Sequence, residues 1–196
     1  MNRIRSEAPP ADRRGMTLVE MLVALSLFGV AMGVIFGFLT SSRRSYSSMS
    51  ARVETQQNIR AVLGLMSSEV RSAGCDPGQT GFTKLPLAGA QTFECRMDLN
   101  GNSAIETTEP AEDVTYAYVT NTRELTRNSG GGAQVVLRGI TAVDFRYYDV
   151  TGALLAARPL SAADRARVRF VEFDITGESD RGELARYVTR VFVRNG

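Results

Sequence analysis

An α+β fold, in which one long amino-terminal helix packs on an antiparallel sheet, is predicted by three observations. Residues 16–39 form a run of 24 residues that is apolar apart from Thr17, Glu20 and Ser26. No proline follows before Pro77, and Ile59, Val62, Leu63, Met66 and Val70 recur on one face of a 3.6-residue helix. Beyond Pro110, segments rich in Val, Tyr, Phe and Thr alternate with turn signals, as antiparallel strands do.

The apolar run reaches about 36 Å as a helix, enough to cross a bilayer core of about 30 Å with some tilt. A secretory signal peptide has an apolar region of only about 7 to 15 residues, so this run is too long for one. Arg13 and Arg14 precede it and Arg43 and Arg44 follow it; adding Arg3 and Arg5 favours a cytoplasmic amino terminus. A plain single-pass anchor explains length and flanks but gives no reason for Glu20. A carboxylate inside a membrane span costs about 2.5 to 3.5 kcal/mol at its centre and less near an end, which makes Glu20 a functional residue in need of a positive partner.

After Leu39 the helix is expected to continue to about Ala73, with Gly74 as its stop. Gln56, Arg60, Ser67 and Arg71 lie off the apolar face, and that face is expected to cover a sheet; binding a partner helix or a membrane surface is the alternative. Gly29, Gly33 and Gly37 form a stripe that lets another helix approach closely, or lets the helix loosen locally. The expected division is therefore 1–15, 16–39 as the membrane half of the helix, 40–73 as its amphipathic half, and 74–196 as a globular head.

Composition removes several functions. The net charge is +2, and outside the first fifteen residues 19 basic side chains balance 19 acidic ones, so no nucleic-acid footprint is present. There is no histidine and there are only two cysteines, which rules out a zinc site, a Ser-His-Asp triad and a Cys-His pair. No carboxylate pair stands in a catalytic context. The chain reads as a structural protein, not an enzyme, with no required cofactor.

The stretch Arg13, Arg14, Gly15, Met16, Thr17, Leu18, Val19, Glu20 resembles the leader junction of type IV prepilins. The resemblance implies cleavage between Gly15 and Met16 by a prepilin peptidase, with N-methylation of Met16. Glu20 then becomes the fifth mature residue, where the family uses a glutamate to offset the terminal amine of a neighbouring subunit. Pairing offsets part of the cost of two isolated charges in a low dielectric. Met16 departs from the phenylalanine usual in the family. The fold implied is pilin-like.

Cys75 and Cys95 lie 20 positions apart, and with the head in the periplasm they are expected to form a disulfide that stabilises the fold by roughly 3 kcal/mol; free structural thiols are the alternative. Residues 98–109 follow the ligand register of an EF-hand loop. Asp98, Asn100 and Asn102 would offer side chains, Ala104 a carbonyl, Glu106 a ligand directly or through water, and Glu109 a two-oxygen carboxylate, so calcium is the candidate ion. Ser103 stands where such loops carry glycine, and a plain polar turn is the competing reading.

Strands are expected over 114–120, 134–138, 140–150, 168–176 and 187–194, four or five in one antiparallel arrangement, with a short helix capped by Ser161 and running through Arg167. Gly130 to Gly132 lacks the lysine and the strand–loop–helix frame of a phosphate loop and reads as a turn. Phe145, Arg146, Tyr147 and Tyr148 read as sheet packing, or as a surface for a neighbouring subunit or DNA.

Glu69, Val70, Arg71, Ser72, Ala73, Gly74, Cys75, Asp76 and Pro77 at the helix end resemble the PilW type of minor pilin. Asp113 to Tyr118, Gly139 to Tyr147 and Arg190 to Asn195 resemble both that type and the minor pseudopilins of type II secretion. These resemblances imply a minor pilin that primes or caps pilus assembly, or a minor pseudopilin; an anchored adhesive head is the reading from another class. The implied partners are major and minor pilins or pseudopilins, the prepilin peptidase, the inner-membrane assembly platform and the inner membrane itself. The implied location is single-pass in the inner membrane, head in the periplasm, then pilus or pseudopilus.

Overall fold

Three facts of sequence set the elements: a proline-free stretch from residue 11 to residue 76, alternating strand patterns, and glycines where the chain must reverse. In a computed structural model, which describes residues 16–107, 112–179 and 182–195, the first produces α1 (Leu18–Ser72). Contacts divide the chain into two units, Met1–Ser47 and Ser48–Gly196.

In the first unit, α1 offers Leu18–Tyr46, 29 residues whose most apolar stretch has a mean hydropathy of 2.5 and is not buried. It is long and apolar enough to cross a membrane. Its few polar groups satisfy themselves inside the helix: Ser26 Oγ donates to Leu22 O at 2.8 Å, and Thr40 Oγ1 donates to Phe36 O at 2.9 Å. Such internal bonding is what lipid demands of a spanning segment.

In the second unit, α1 buries Ile59, Leu63, Met66, Val70 and Ala73 in the core, with Val62 half-buried beside them. Ser67, expected off this face, is buried too, because its hydroxyl donates to Leu63 O at 2.6 Å and no longer needs water. Gly74 ends the helix in the left-handed conformation (φ 75°), and a side chain there would collide with Asn195 O at 2.6 Å.

The strands form two antiparallel sheets rather than one. The first contains β1 (Leu87–Ala88), β2 (Thr92–Arg96), β3 (Asp113–Val119), β4 (Glu124–Asn128) and β5 (Ala133–Leu137) in that order. The second contains β6 (Ile140–Tyr148), β7 (Phe170–Glu178) and β8 (Leu184–Phe192) in that order. The short helix α2 (Ala162–Arg167) starts at Ser161, whose hydroxyl accepts from Asp164 N. Strands β1, β2 and β4 lay outside the expected set: β4 reads Glu-Leu-Thr-Arg-Asn, too polar to stand out, and β2 fell in the segment assigned to a cysteine-closed loop.

An aromatic cluster joins the sheets. Phe93 on β2 stacks on Tyr116 of β3 with ring centres 5.1 Å apart, meets Phe145 of β6 edge-on at 5.0 Å, and stacks on Phe173 of β7 at 5.5 Å. These are the spacings aromatic pairs favour. Hydrogen bonds from Phe145 N to Ala90 O and from Tyr147 Oη to Gly89 O, 2.7 and 2.8 Å, add polar ties between the same layers.

Candidate functional site

The site sits where the chain enters its apolar helix. Thr17 is the residue before the first helical turn, and its carbonyl accepts from Met21 N at 3.1 Å. Thr17 N donates to Glu20 Oε2 at 2.8 Å, the Thr17 hydroxyl donates to the same oxygen at 3.0 Å, and Glu20 N donates back to Thr17 Oγ1 at 3.3 Å. This is a reciprocal capping box, which satisfies amides that a helix start otherwise leaves unpaired. A carboxylate near a helix amino terminus is also stabilised by the helix dipole. The Thr-x-x-Glu spacing was readable in the sequence; its use as a cap was the part that sequence reasoning missed. Met16 is 67% exposed beside it, whereas Gly15 lies outside the described residues.

The cysteines depart from expectation: both are free thiols, Cys95 buried on β2 and Cys75 half-buried against the same core. The closure expected of a bridge is made by main-chain bonds instead, from Gly74 N to Arg96 O at 2.8 Å and from Asp98 N to Cys75 O at 2.7 Å. Burial pushes the Cys95 thiol far above its ordinary range, aided by the nearby Glu69 and Asp113 carboxylates.

In the acidic loop, oxygens meant for calcium are turned onto the loop's own amides. Buried Asp98 accepts from Gly101 N at 2.6 Å and Ser103 N at 3.0 Å. Asn100 Oδ1 accepts from Asn102 N, and Asn102 Oδ1 from Ala104 N, each at 2.9 Å. Glu106 receives the side-chain amides of Asn100 and Asn102. Glu112, outside the expected ligand set, accepts from Leu99 N and Glu106 N at 3.2 and 3.1 Å. Among the described residues no group of three or more acidic, Cys or His side chains is placed to hold a metal ion, and Glu109 lies outside them. This arrangement of the described donors does not fit a calcium cage.

On β6, Phe145 and Tyr147 face the core, as sheet packing requires, while Arg146 and Tyr148 join an ionic lattice on the other face. Arg146 reaches Glu172 at 3.1 Å and Asp174 at 3.3 Å; Arg186 grips Asp174 through two bonds, and Arg190 grips Glu172 while lying 3.9 Å from the Tyr148 ring centre. The glycines 130–132 form the β4–β5 turn, where Asn128 Oδ1 accepts from Gly130 N and Gly132 N at 3.2 Å. A cavity of about 650 Å³ between the head part of α1 and β5, lined by Glu54, Asn58, Val62, Val135 and Glu178 among others, contains none of the candidate processing, assembly, disulfide or metal residues.

A long apolar helix that begins at a glutamate-containing cap and is followed by antiparallel sheets defines the class: a pilin-like α+β protein. Residues 10–36 match the prokaryotic N-terminal methylation motif. The chain is also 28% identical over 114 residues to the Pilin-like protein PilA3 of Thermus thermophilus, an overlap covering 58% of this chain and 45% of that protein. It thus spans less than half the length of the curated relative it matches. In motif, in this relative and in fold, the chain is similar to type IV pilin-like proteins.

Proposed function

We propose that the chain is a minor type IV pilin, a structural subunit that primes or caps pilus assembly once residues 1–15 have been removed and Met16 methylated. The observation that carries this reading is the placement of Glu20: an acidic side chain at the mouth of an otherwise apolar helix, inside the stretch that matches the N-terminal methylation motif. In apolar surroundings that carboxylate favours the amine of another subunit, so the helix is built for assembly. The helix waits in the inner membrane with the head in the periplasm, and it then bundles with the helices of major and minor pilins through the peptidase and the assembly platform.

A minor pseudopilin of type II secretion is the second reading, since the same capping and membrane-length helix serve either filament. Deleting the gene in its host separates the two. Loss of surface pili and twitching with secretion intact supports the minor pilin. Loss of secretion with pili intact supports the pseudopilin, and normal pili with lost attachment would favour an anchored adhesive head.

A further inference from the structure

We propose that Lys84, Arg165 and Arg169, gathered at the turn from α2 into β7, form a binding site for a phosphate-type oxyanion. The site is independent of the processing and assembly reading above.

Elsewhere in the head the arginines are neutralised: Arg96, Arg127, Arg146, Arg158, Arg186 and Arg190 each meet a carboxylate. Among the described residues, no ion pair takes up Lys84, Arg165 or Arg169. These three converge on Val168. Lys84 Nζ donates to Val168 O at 3.0 Å, Arg165 O accepts from Val168 N at 3.3 Å, and Arg169 is the next residue. Two of the guanidinium donors, Arg165 Nε and Arg169 Nη1, are shielded from solvent and meet no acceptor. Buried polar groups are normally paired, so cationic donors left unpaired beside a third cation point to an acceptor brought from outside the chain. Burial and the neighbouring Arg169 guanidinium hold the Lys84 ammonium below its ordinary range, as like charges do when no anion stands between them.

The cluster is held in place and open on one side. Arg169 is clamped by its main chain, its N–H donating to Tyr148 O and its carbonyl accepting from Val193 N, each at 2.8 Å. The Lys84 stem lies against the turn after α1, where a Cβ on Gly74 would stand 3.1 Å from Lys84 Cβ. All three residues are only half-buried, so a small anion reaches them from solvent without opening the core. Lysine adds a point charge and arginine a planar fork of donors, a combination that suits the several oxygens of a phosphate better than the two of a carboxylate. A shared anion also replaces repulsion between the cations with charge-assisted hydrogen bonds.

The test is the Tm of the full chain in a sugar-based detergent, with ionic strength held constant by sodium chloride. Inorganic phosphate is the first probe and glycerol 3-phosphate the second. Both present the same oxygens: protection by inorganic phosphate alone marks a free ion, whereas protection by both admits a phosphate carried on a larger molecule. A rise in Tm on the order of 3 °C, saturating with concentration and absent with acetate, is expected. Arg169→Gln and Lys84→Gln should each abolish that rise, while Arg43→Gln, at an exposed position of α1, should keep it. In phosphate-free chloride Arg169→Gln should melt no lower than wild type, because it removes an uncompensated cation; an arginine with a purely structural role would not behave so. No rise with either phosphate probe, an equal rise with acetate or in the two site variants, or a marked fall of Arg169→Gln in chloride overturns the site and leaves ordered water as the acceptor.

Discussion

Glu69 of α1 and Arg127 of β4 form a nearly buried ion pair, with Arg127 Nε donating to Glu69 Oε1 at 2.9 Å while the Tyr116 hydroxyl donates to Oε2 at 2.5 Å. Only 8% of the Glu69 side chain and 18% of the Arg127 side chain meet solvent. The pair ties the helix to the first sheet at one register, and the acid lies between Met66 and Val70 on the apolar face. Removing one partner strands the others, so Glu69→Ala is expected to cost about 3 kcal/mol. That lowers the Tm of the detergent-solubilised chain by on the order of 10 °C. Replacing all three with apolar shapes, Glu69→Leu with Tyr116→Phe and Arg127→Leu, is expected to recover most of the loss; thermal melts of both variants check it.

The lattice on the second sheet sets the response to acid. Hydrogen bonds from Arg186 hold the Asp174 carboxyl below its ordinary range. Burial pushes Glu172 the other way, but hydrogen bonds from Arg190, Arg146 and Tyr148 outweigh it and hold Glu172 low as well. A carboxyl depressed in the folded state stabilises the fold above its unfolded pKa, about 4, and loses that contribution as pH falls through the folded value. The Tm is therefore expected to be flat between about pH 7 and 5 and to fall below about pH 4. Asp174→Asn should melt lower than wild type at neutral pH, with the difference closing in strong acid; melts across this range measure it.

The cysteine chemistry gives a count. Thiol titration of denatured, non-reduced protein is expected to find two reactive groups, and the folded protein should protect Cys95, which is buried and held protonated. Zero reactive groups after denaturation would establish a bridge instead.

The acidic loop gives a null titration. Because Asp98, Asn100 and Asn102 already accept from loop amides, calcium is expected to release no heat and to leave the Tm unchanged. A rise in Tm with calcium would show that the loop rearranges to take the ion.

What the sequence could reveal followed the range of each signal. The helix was readable over nearly its full length because apolarity, the 3.6-residue period and the absence of proline agree from Leu18 to Ser72. Strands with aromatic alternation, such as β6 around Phe145 and Tyr147, were readable for the same reason. The split into two sheets was not, since it depends on Phe93 meeting Phe145 and Phe173 across long sequence separations. The Glu69 pair was hidden in the same way: a carboxylate on an apolar helix face signals a partner, but nothing local names Arg127. The capping box lay in plain sight as Thr17 and Glu20, and was obscured because the family resemblance directed attention to a partner in another subunit.

The central claim is that this chain is processed as a prepilin, and the mass of the mature protein tests it most directly. Expressed with a prepilin peptidase, the chain is expected to lose residues 1–15 and to carry one methyl group on the new amino terminus at Met16; without the peptidase, or as Gly15→Ala, it should stay intact. A mature chain beginning anywhere else, or one that is uncut in the presence of the enzyme, would contradict the account.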